Sequence, residues 1–202
     1  MGSRLTQPTE RRPVAWWRSS HRAVVAVTVI VVIAAAVLFF WPADALSPTQ
    51  EPETKPDQVA AMENDLRAKG SAEDALARYG STLQQMAHDI TALVPGLKWH
   101  WNRSNTSVTC PGPLADTRGV QILPRQIVFE GPISDEVWPQ ALARVHMRAA
   151  ELGASKVVVN ADKPGHHDVA ISGDNDAEIR FGTRVAAVLS ARSDCYLKAA
   201  DL

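Results

Sequence analysis

Cysteine is scarce in this chain. Cys110 and Cys195 are its two cysteines in 202 residues, and neither has the nearby second ligand of a C-x-x-C zinc site. Aromatic residues make up 6%. No Gly-x-Ser-x-Gly elbow is present, and no Gly-rich phosphate loop precedes a helix. No catalytic residues are therefore assigned, and no cofactor or metal is required. Charge of one sign is also lacking, since the net charge is -1. Without a basic surplus, nucleic acid is not an expected partner.

One long uncharged run is present. Ala23 to Trp41, AVVAVTVIVVIAAAVLFFW, has 19 residues and spans about 28 Å as a helix, close to the hydrocarbon thickness of a bilayer. Trp16, Trp17 and Trp41 flank it where interfacial aromatics belong. Residues 1–22 hold five arginines against Glu10 alone, so the other 180 residues carry -5. The positive-inside rule then places residues 1–22 in the cytoplasm and everything after Trp41 outside. The bilayer is the first expected partner, through Ala23–Trp41. Ala43-Asp44-Ala45 also fits a signal-peptidase site, so either a retained anchor or cleavage after Ala45 is open, although the run is longer than a signal core. Residues 42–57 are Pro-rich and acidic and read as a linker. The domain layout is thus a tail (1–22), a span (23–41), a linker (42–57) and an extracytoplasmic domain (58–202).

Outside the membrane an even cysteine count favours a Cys110–Cys195 disulfide, with two separate buried thiols as the alternative. The bond would close a loop of about 85 residues, worth roughly 4.5 kcal/mol by chain entropy.

Residues 56–93 have helical periodicity, interrupted at Lys69-Gly70. Leu76, Tyr79, Leu83, Met86, Ile90 and Leu93 form an apolar stripe, and Ser71 with Asp74 makes a capping-box-like start. LKWHWN alternates and predicts a strand that hairpins through Asn102–Asn105 into TSVTC. Val120–Phe129 reads as one further strand containing Pro124. Ser134 is the expected cap of a second helix with the stripe Trp138, Leu142, Val145, Ala149 and Leu152. KVVVNA, HDVAISG and AEIRFG follow as strands, and RVAAVLSA reads as a strand with a short helix as the alternative. The expected fold class is α+β: a mostly antiparallel sheet covered by two helices, preceded by one N-terminal transmembrane helix.

Two loops carry the candidate ligand-binding residues: Asp116 and Arg118 between Pro111 and Gly119, and Lys163, His166 and His167 at a hairpin tip. An envelope protein or cell-wall component is the kind of ligand they would meet. A rival reading joins His166, His167 and Asp168 in a metal-dependent enzyme, but adjacent strand residues face opposite ways and few ligands converge. A third makes the chain a subunit of a membrane assembly, with Ala34–Ala36 packed on another span. Trp99 and Trp101 read as packing beneath the first helix rather than as a ligand platform.

DITALVPGLKWHW, CPGP, ELGASKVVV, DKPGHHDVAISG and IRFGTRVAAVLSARSDC together resemble the LppA-like lipoproteins of mycobacteria, over the chain from about residue 58 onward. The resemblance implies an envelope-attached domain with paired cysteines and transfers no catalytic residue. A lipobox cysteine is missing at the membrane exit, where Leu38-Phe39-Phe40-Trp41-Pro42-Ala43 stands instead. Lipid attachment is therefore not expected here.

Overall fold

A computed structural model describes residues 54–202; the apolar run Ala23–Trp41, and with it the predicted span, lies outside the described residues. The domain is α+β, with three helices and an antiparallel strand system. The helices are α1 (Pro56–Arg67), α2 (Ala72–Leu93) and α3 (Trp138–Glu151). The strands are β1 (Trp99–Asn102), β2 (Thr106–Thr109), β3 (Val120–Leu123), β4 (Gln126–Phe129), β5 (Lys156–Lys163), β6 (His166–Ser172), β7 (Glu178–Thr183), β8 (Ala187–Arg192) and β9 (Cys195–Tyr196).

Pro56 opens α1, where its missing N–H costs no intrahelical bond. Gly70, at φ +90°, lets the chain turn after it. The Ser71 hydroxyl accepts from the Asp74 N–H at 3.0 Å and donates to the Asp74 carboxylate at 2.8 Å, so α2 starts on the expected cap. Ser134 does not play that role for α3. It accepts backbone bonds from Val137 and Trp138 in a preceding turn, and the helix itself begins at Trp138. Pro139 within the first helical turn, where no intrahelical N–H is needed, favours the later start.

The larger sheet has the order β1-β4-β8-β7-β6-β5, and a smaller one the order β2-β3-β9. Two corrections to the sequence reading follow. LKWHWN does not hairpin with TSVTC: β1 pairs with β4, and β2 pairs with β3. Val120–Phe129 is two strands, because Pro124 offers no N–H to a ladder and the run breaks at Pro124-Arg125. Residues 99–109 and 120–129 are instead the two arms of one long ribbon. Its pairing runs from Trp99↔Phe129 to Thr109↔Val120, and both arms bend at the same level. Arg103, left-handed at φ +64°, turns the first arm. Across the corner the Asn105 Oδ1 accepts the Arg125 N–H at 2.9 Å. β8 and β9 bend likewise, since β8 pairs with β4 and β9 with β3. Three chain segments thus pass through both sheets.

α2 spans this corner. Its first turn packs Ala72, Ala75 and Leu76 against Ile122, Val120 and Tyr196 of the small sheet. The rest puts Tyr79, Leu83, Met86 and Ile90 into the main core with Ile127, Phe129 and Leu189. α3 adds Trp138, Ala141, Val145 and Ala149 above Val169, Ile171, Ile179 and Phe181. Both helices lie on one face of the large sheet. Trp99 and Trp101 point to that same side, half-buried and edge-to-face at 5.7 Å.

Cys110 and Cys195 form a disulfide, with Cα atoms 5.9 Å apart. It seals a third small core with Leu66 and Leu197. Gly119 leaves the space: a Cβ there would lie 2.9 Å from the Cys110 Sγ and 2.8 Å from a Leu66 methyl. The bond links the end of β2 to β9, the last strand, and these two flank β3 in the small sheet.

Candidate ligand-binding face

Strand alternation sorts the large sheet into two faces. On β7, Ile179, Phe181 and Thr183 point to the helices, so Glu178, Arg180 and Gly182 point away. On β8, Leu189 and Ala191 go inward, while Ser190 and Arg192 go outward. No helix covers this outward side among the described residues. Two clefts lie on it. One, of about 390 Å³, sits at the corner and is lined by Arg103, Ser104, Gln126, Glu178, Arg180 and Arg192, among others. The second, of about 290 Å³, is bordered by His166, Asp168, Arg180 and Arg184. They adjoin at Arg180 and Ser190.

The electrostatics of this face favour anions. Arg180 Nε donates to Glu178 at 2.9 Å, and Arg192 is held more loosely by the same carboxylate at 3.9 Å. One carboxylate thus serves two guanidiniums, leaving most of their ten N–H donors to solvent or ligand. Among the described residues the side chains of Arg103 and Arg184 make no hydrogen bond or ion pair.

Of the residues singled out from the sequence, the histidines of the β5–β6 tip reach the second cleft, and the others fall elsewhere. Asp116 is exposed on the loop that follows β2. Arg118, on the same loop, grips Glu63 of α1 through Nε at 3.0 Å and reaches Asp201 through Nη1 at 3.1 Å. Its side-chain and backbone donors hold the Glu63 carboxyl down at about 2. The guanidinium thereby ties the loop to α1 and to the C-terminal turn.

Lys163, His166 and His167 sit at the β5–β6 tip around Pro164-Gly165. Lys163 is exposed, and His166 borders the second cleft. His167 turns inward and is 7% exposed. Its ring stacks on Trp138 at 4.9 Å, and Trp138 stacks on Phe181 at 4.6 Å. Nδ1 meets Asp162 at 2.7 Å and Nε2 meets Asp135 at 2.8 Å. Asp135 also accepts the Gly165 N–H at 2.8 Å. Burial opposes protonation of His167, but the bonds to Asp135 and then Asp162 outweigh it and raise the pKa. To donate to both carboxylates at once the ring needs a proton on each nitrogen, which is the form these two partners favour. His167 is therefore a clasp between the tip and the turn before α3. Its neighbours His166 and Asp168 lie on the opposite face of β6, so the three proposed metal ligands do not converge. No cluster of three or more metal-ligating side chains occurs among the described residues.

Sequence reasoning missed Arg103, Arg180, Arg184 and Arg192. Their signal was phase: Arg180 and Arg192 stand out of step with the apolar positions of AEIRFG and AVLSAR.

Fold and site together define a disulfide-closed α+β domain with one uncovered sheet face. The LppA family, described as a lipoprotein confined to pathogenic Mycobacterium, matches residues 47–199, and the chain belongs to this family. The lipoprotein LppB of Mycobacterium tuberculosis, in strains CDC 1551 / Oshkosh and H37Rv, is 26% identical over 157 residues, which are 75% of this chain and 71% of LppB. The crystal structure of the lipoprotein LppA from Mycobacterium tuberculosis shares the fold, with a TM-score of 0.63 at 23% identity over 72% of this chain and 88% of that one. One departure from a lipoprotein stands out. Both cysteines of this sequence are engaged in the disulfide, leaving none to carry a lipid.

Proposed function

We propose that this protein is a membrane-anchored binding domain of the cell envelope, displayed outside the cytoplasmic membrane, which takes its ligand on the uncovered face of the large sheet. The observation that carries the reading is that face: a sheet covered by helices on one side and left on the other with two adjoining, arginine-lined clefts. Binding sites are concave and furnished with a few convergent polar groups, and the two adjoining clefts have that form. Support for the location is independent. Membership of a lipoprotein family fits an envelope protein, the disulfide fits an oxidising compartment, and the uncharged run behind an arginine-rich tail fits an N-terminal anchor. With no cysteine for lipid, the run Ala23–Trp41 takes the role of the anchor.

Two measurements test it. Intact mass from the membrane fraction should match the full chain and rise by about 2 Da on reduction, as two thiols replace one disulfide. A chain starting at Leu46 would make the domain a released one. For the face, Ser190→Trp places an indole where the clefts meet. It should abolish retention of envelope polymers on the immobilised protein while leaving thermal stability unchanged; retention equal to wild type would remove the face from the proposal.

A further inference from the structure

The binding-face reading can be deepened to a ligand class: we infer that the two clefts form one trough for a linear acidic polysaccharide, held through Arg103, Arg192, Arg180 and Arg184. This rests on the uncovered face being the ligand site, and the experiment below separates the two claims.

Charge is the first observation. Residues 54–202 carry 16 lysines and arginines against 18 acidic residues, so the domain as a whole repels anions weakly. Along the trough the balance reverses, with four arginines against Glu178 and Asp168. A local surplus within an acidic domain concentrates field where the ligand lies. Guanidiniums present paired N–H donors that match carboxylate and phosphate oxygens in bidentate geometry.

Spacing is the second. Arg192 stands opposite Glu178, and Arg180 stands opposite Ser190, in the β7–β8 register. Arg192 and Arg180 are thus one two-residue step apart along the ladder, about 7 Å, and Arg184 follows just past the end of β7, beyond Thr183, which lies roughly 10 Å from Arg180 along the strand. A single phosphate or carboxylate cannot span that row. A polymer carrying one charge every few ångströms can.

The third observation distinguishes a sugar chain from a peptide. β7 and β8 are interior strands whose backbones are paired on both sides, so an extended peptide finds no free edge there to join. What the trough offers between the arginines is Ser104, Thr106, Gln126 and Ser190. Hydroxyl and amide groups of this kind exchange hydrogen bonds with sugar hydroxyls. Arg103 supports the same end of the trough: its left-handed backbone, a conformation uncommon outside glycine, is fixed by the Asn102 side chain accepting its N–H at 3.0 Å. That corner holds the Arg103 side chain at the cleft.

The test uses the full chain in phosphatidylcholine nanodiscs and measures binding of oligogalacturonate and phosphorylated dextran of matched length. Neutral dextran and polyglutamate serve as comparators. Both acidic sugars, or one of them, should bind; which one does tells carboxylate from phosphate chemistry. Arg180→Ser with Arg192→Ser should weaken binding about tenfold or more, and Arg144→Ser with Lys55→Ser, equal in charge but outside the trough, should leave it unchanged. Equal loss in both pairs, or tight binding of polyglutamate or neutral dextran in place of the acidic sugars, overturns the polysaccharide assignment. Ser190→Trp separates the layers. If it blocks some other ligand while acidic sugars fail to bind, the face stands and the polyanion falls; if acidic sugars bind but Ser190→Trp does not block them, the face itself is wrong.

Discussion

The two faces of the large sheet are made by the same strands and differ in nearly every physical respect. On the helix side, Ile127, Ile171, Ile179, Phe181 and Leu189 are fully buried. At the alternate positions of the same strands stand Gln126, Glu178, Arg180, Ser190 and Arg192, at least partly open to solvent. The difference teaches where stability and recognition are each written. Burial of the inward set removes apolar area from water at about 25 cal/mol per Å², whereas the outward set contributes little to folding and is free to serve a ligand.

Substitutions can break this comparison. Phe181→Ala should destabilise by about 3–5 kcal/mol in chemical denaturation, because it removes a ring stacked on Trp138 and leaves a cavity between sheet and α3. Arg180→Ser, its immediate neighbour on the other face, should shift stability by no more than about 0.5 kcal/mol. A loss above about 2 kcal/mol for Arg180→Ser would mean that the open face is part of the fold's support, and the division would fail.

The next effect in size concerns the corner. Replacing both cysteines, Cys110→Ser with Cys195→Ser, frees a loop whose ends are 85 residues apart. Chain entropy sets the loss at up to about 4.5 kcal/mol, and roughly 2–4 is expected, since engineered and native bonds commonly give less than the model. The Tm should fall accordingly under non-reducing conditions, and reductant should lower wild type to the same value. Identical wild-type stability with and without reductant would show that Leu66, Leu197 and the small sheet hold the corner alone.

The covered face was the more legible of the two. The α2 stripe from Tyr79 to Ile90, the α3 stripe and the alternation of β6, β7 and β8 all follow from period, because one-sided burial forces apolar residues into phase. The disulfide followed from counting. The bent ribbon did not. Asn102–Asn105 and Pro124 are genuine local breaks, and local breaks read as turns; only the cross-chain pairing of Trp99 with Phe129 and of Thr109 with Val120 shows that they are two sides of one corner. The arginine row was equally hidden. Outward polar residues on a strand look the same whether they face plain solvent or a cleft, and the β7–β8 register that lines up Arg180 and Arg192 is not local information. His167 was found by type, but nothing local to it points to Asp135, 32 residues earlier, as the partner of its second nitrogen.

That clasp joins the two faces at their edge and supplies a pH-dependent prediction. His167 is buried on the helix side, while Asp162 and Asp135 are largely exposed. The folded pKa of His167 is raised above its ordinary 6.5, so its stabilisation is fully present below 6.5 and fades as pH rises through the raised value. Asp135 is lowered from its ordinary 3.8, chiefly by the Gly165 N–H and then by His167, so its share is present above 3.8 and fades as pH falls through the lowered value. The clasp is thus fully formed between these two ordinary values. His167→Gln keeps a polar side chain but no charge, and the stability gap to wild type should be widest near pH 5–6 and narrow toward pH 9. At its widest the gap should be about 2 kcal/mol, the scale of a hydrogen bond to a charged group. A gap constant from pH 5 to 9 would mean that stacking on Trp138, not charge, is what holds the tip.

The smallest expected effect sharpens the comparison at its boundary. β5 is one of the two edge strands of the large sheet, and Val157, Val158 and Val159 are 41%, 46% and 60% exposed. Val157 and Val159 pair with Ile171 and Val169 of the buried face, and Val158 pairs with Ala170. The apolar phase therefore persists here with little left to bury it. Val158→Lys should change folding stability by less than about 0.5 kcal/mol, since the site is already open, while the charge on an edge opposes strand-to-strand association. The check is sedimentation of the protein at increasing concentration beside its denaturation midpoint. Because Val158 pairs with Ala170 and Ala170 with Arg180, it stands on the face away from the helices; if Val158→Lys costs as much as a buried-face substitution, that face is not open at this edge and the division between the two faces fails there.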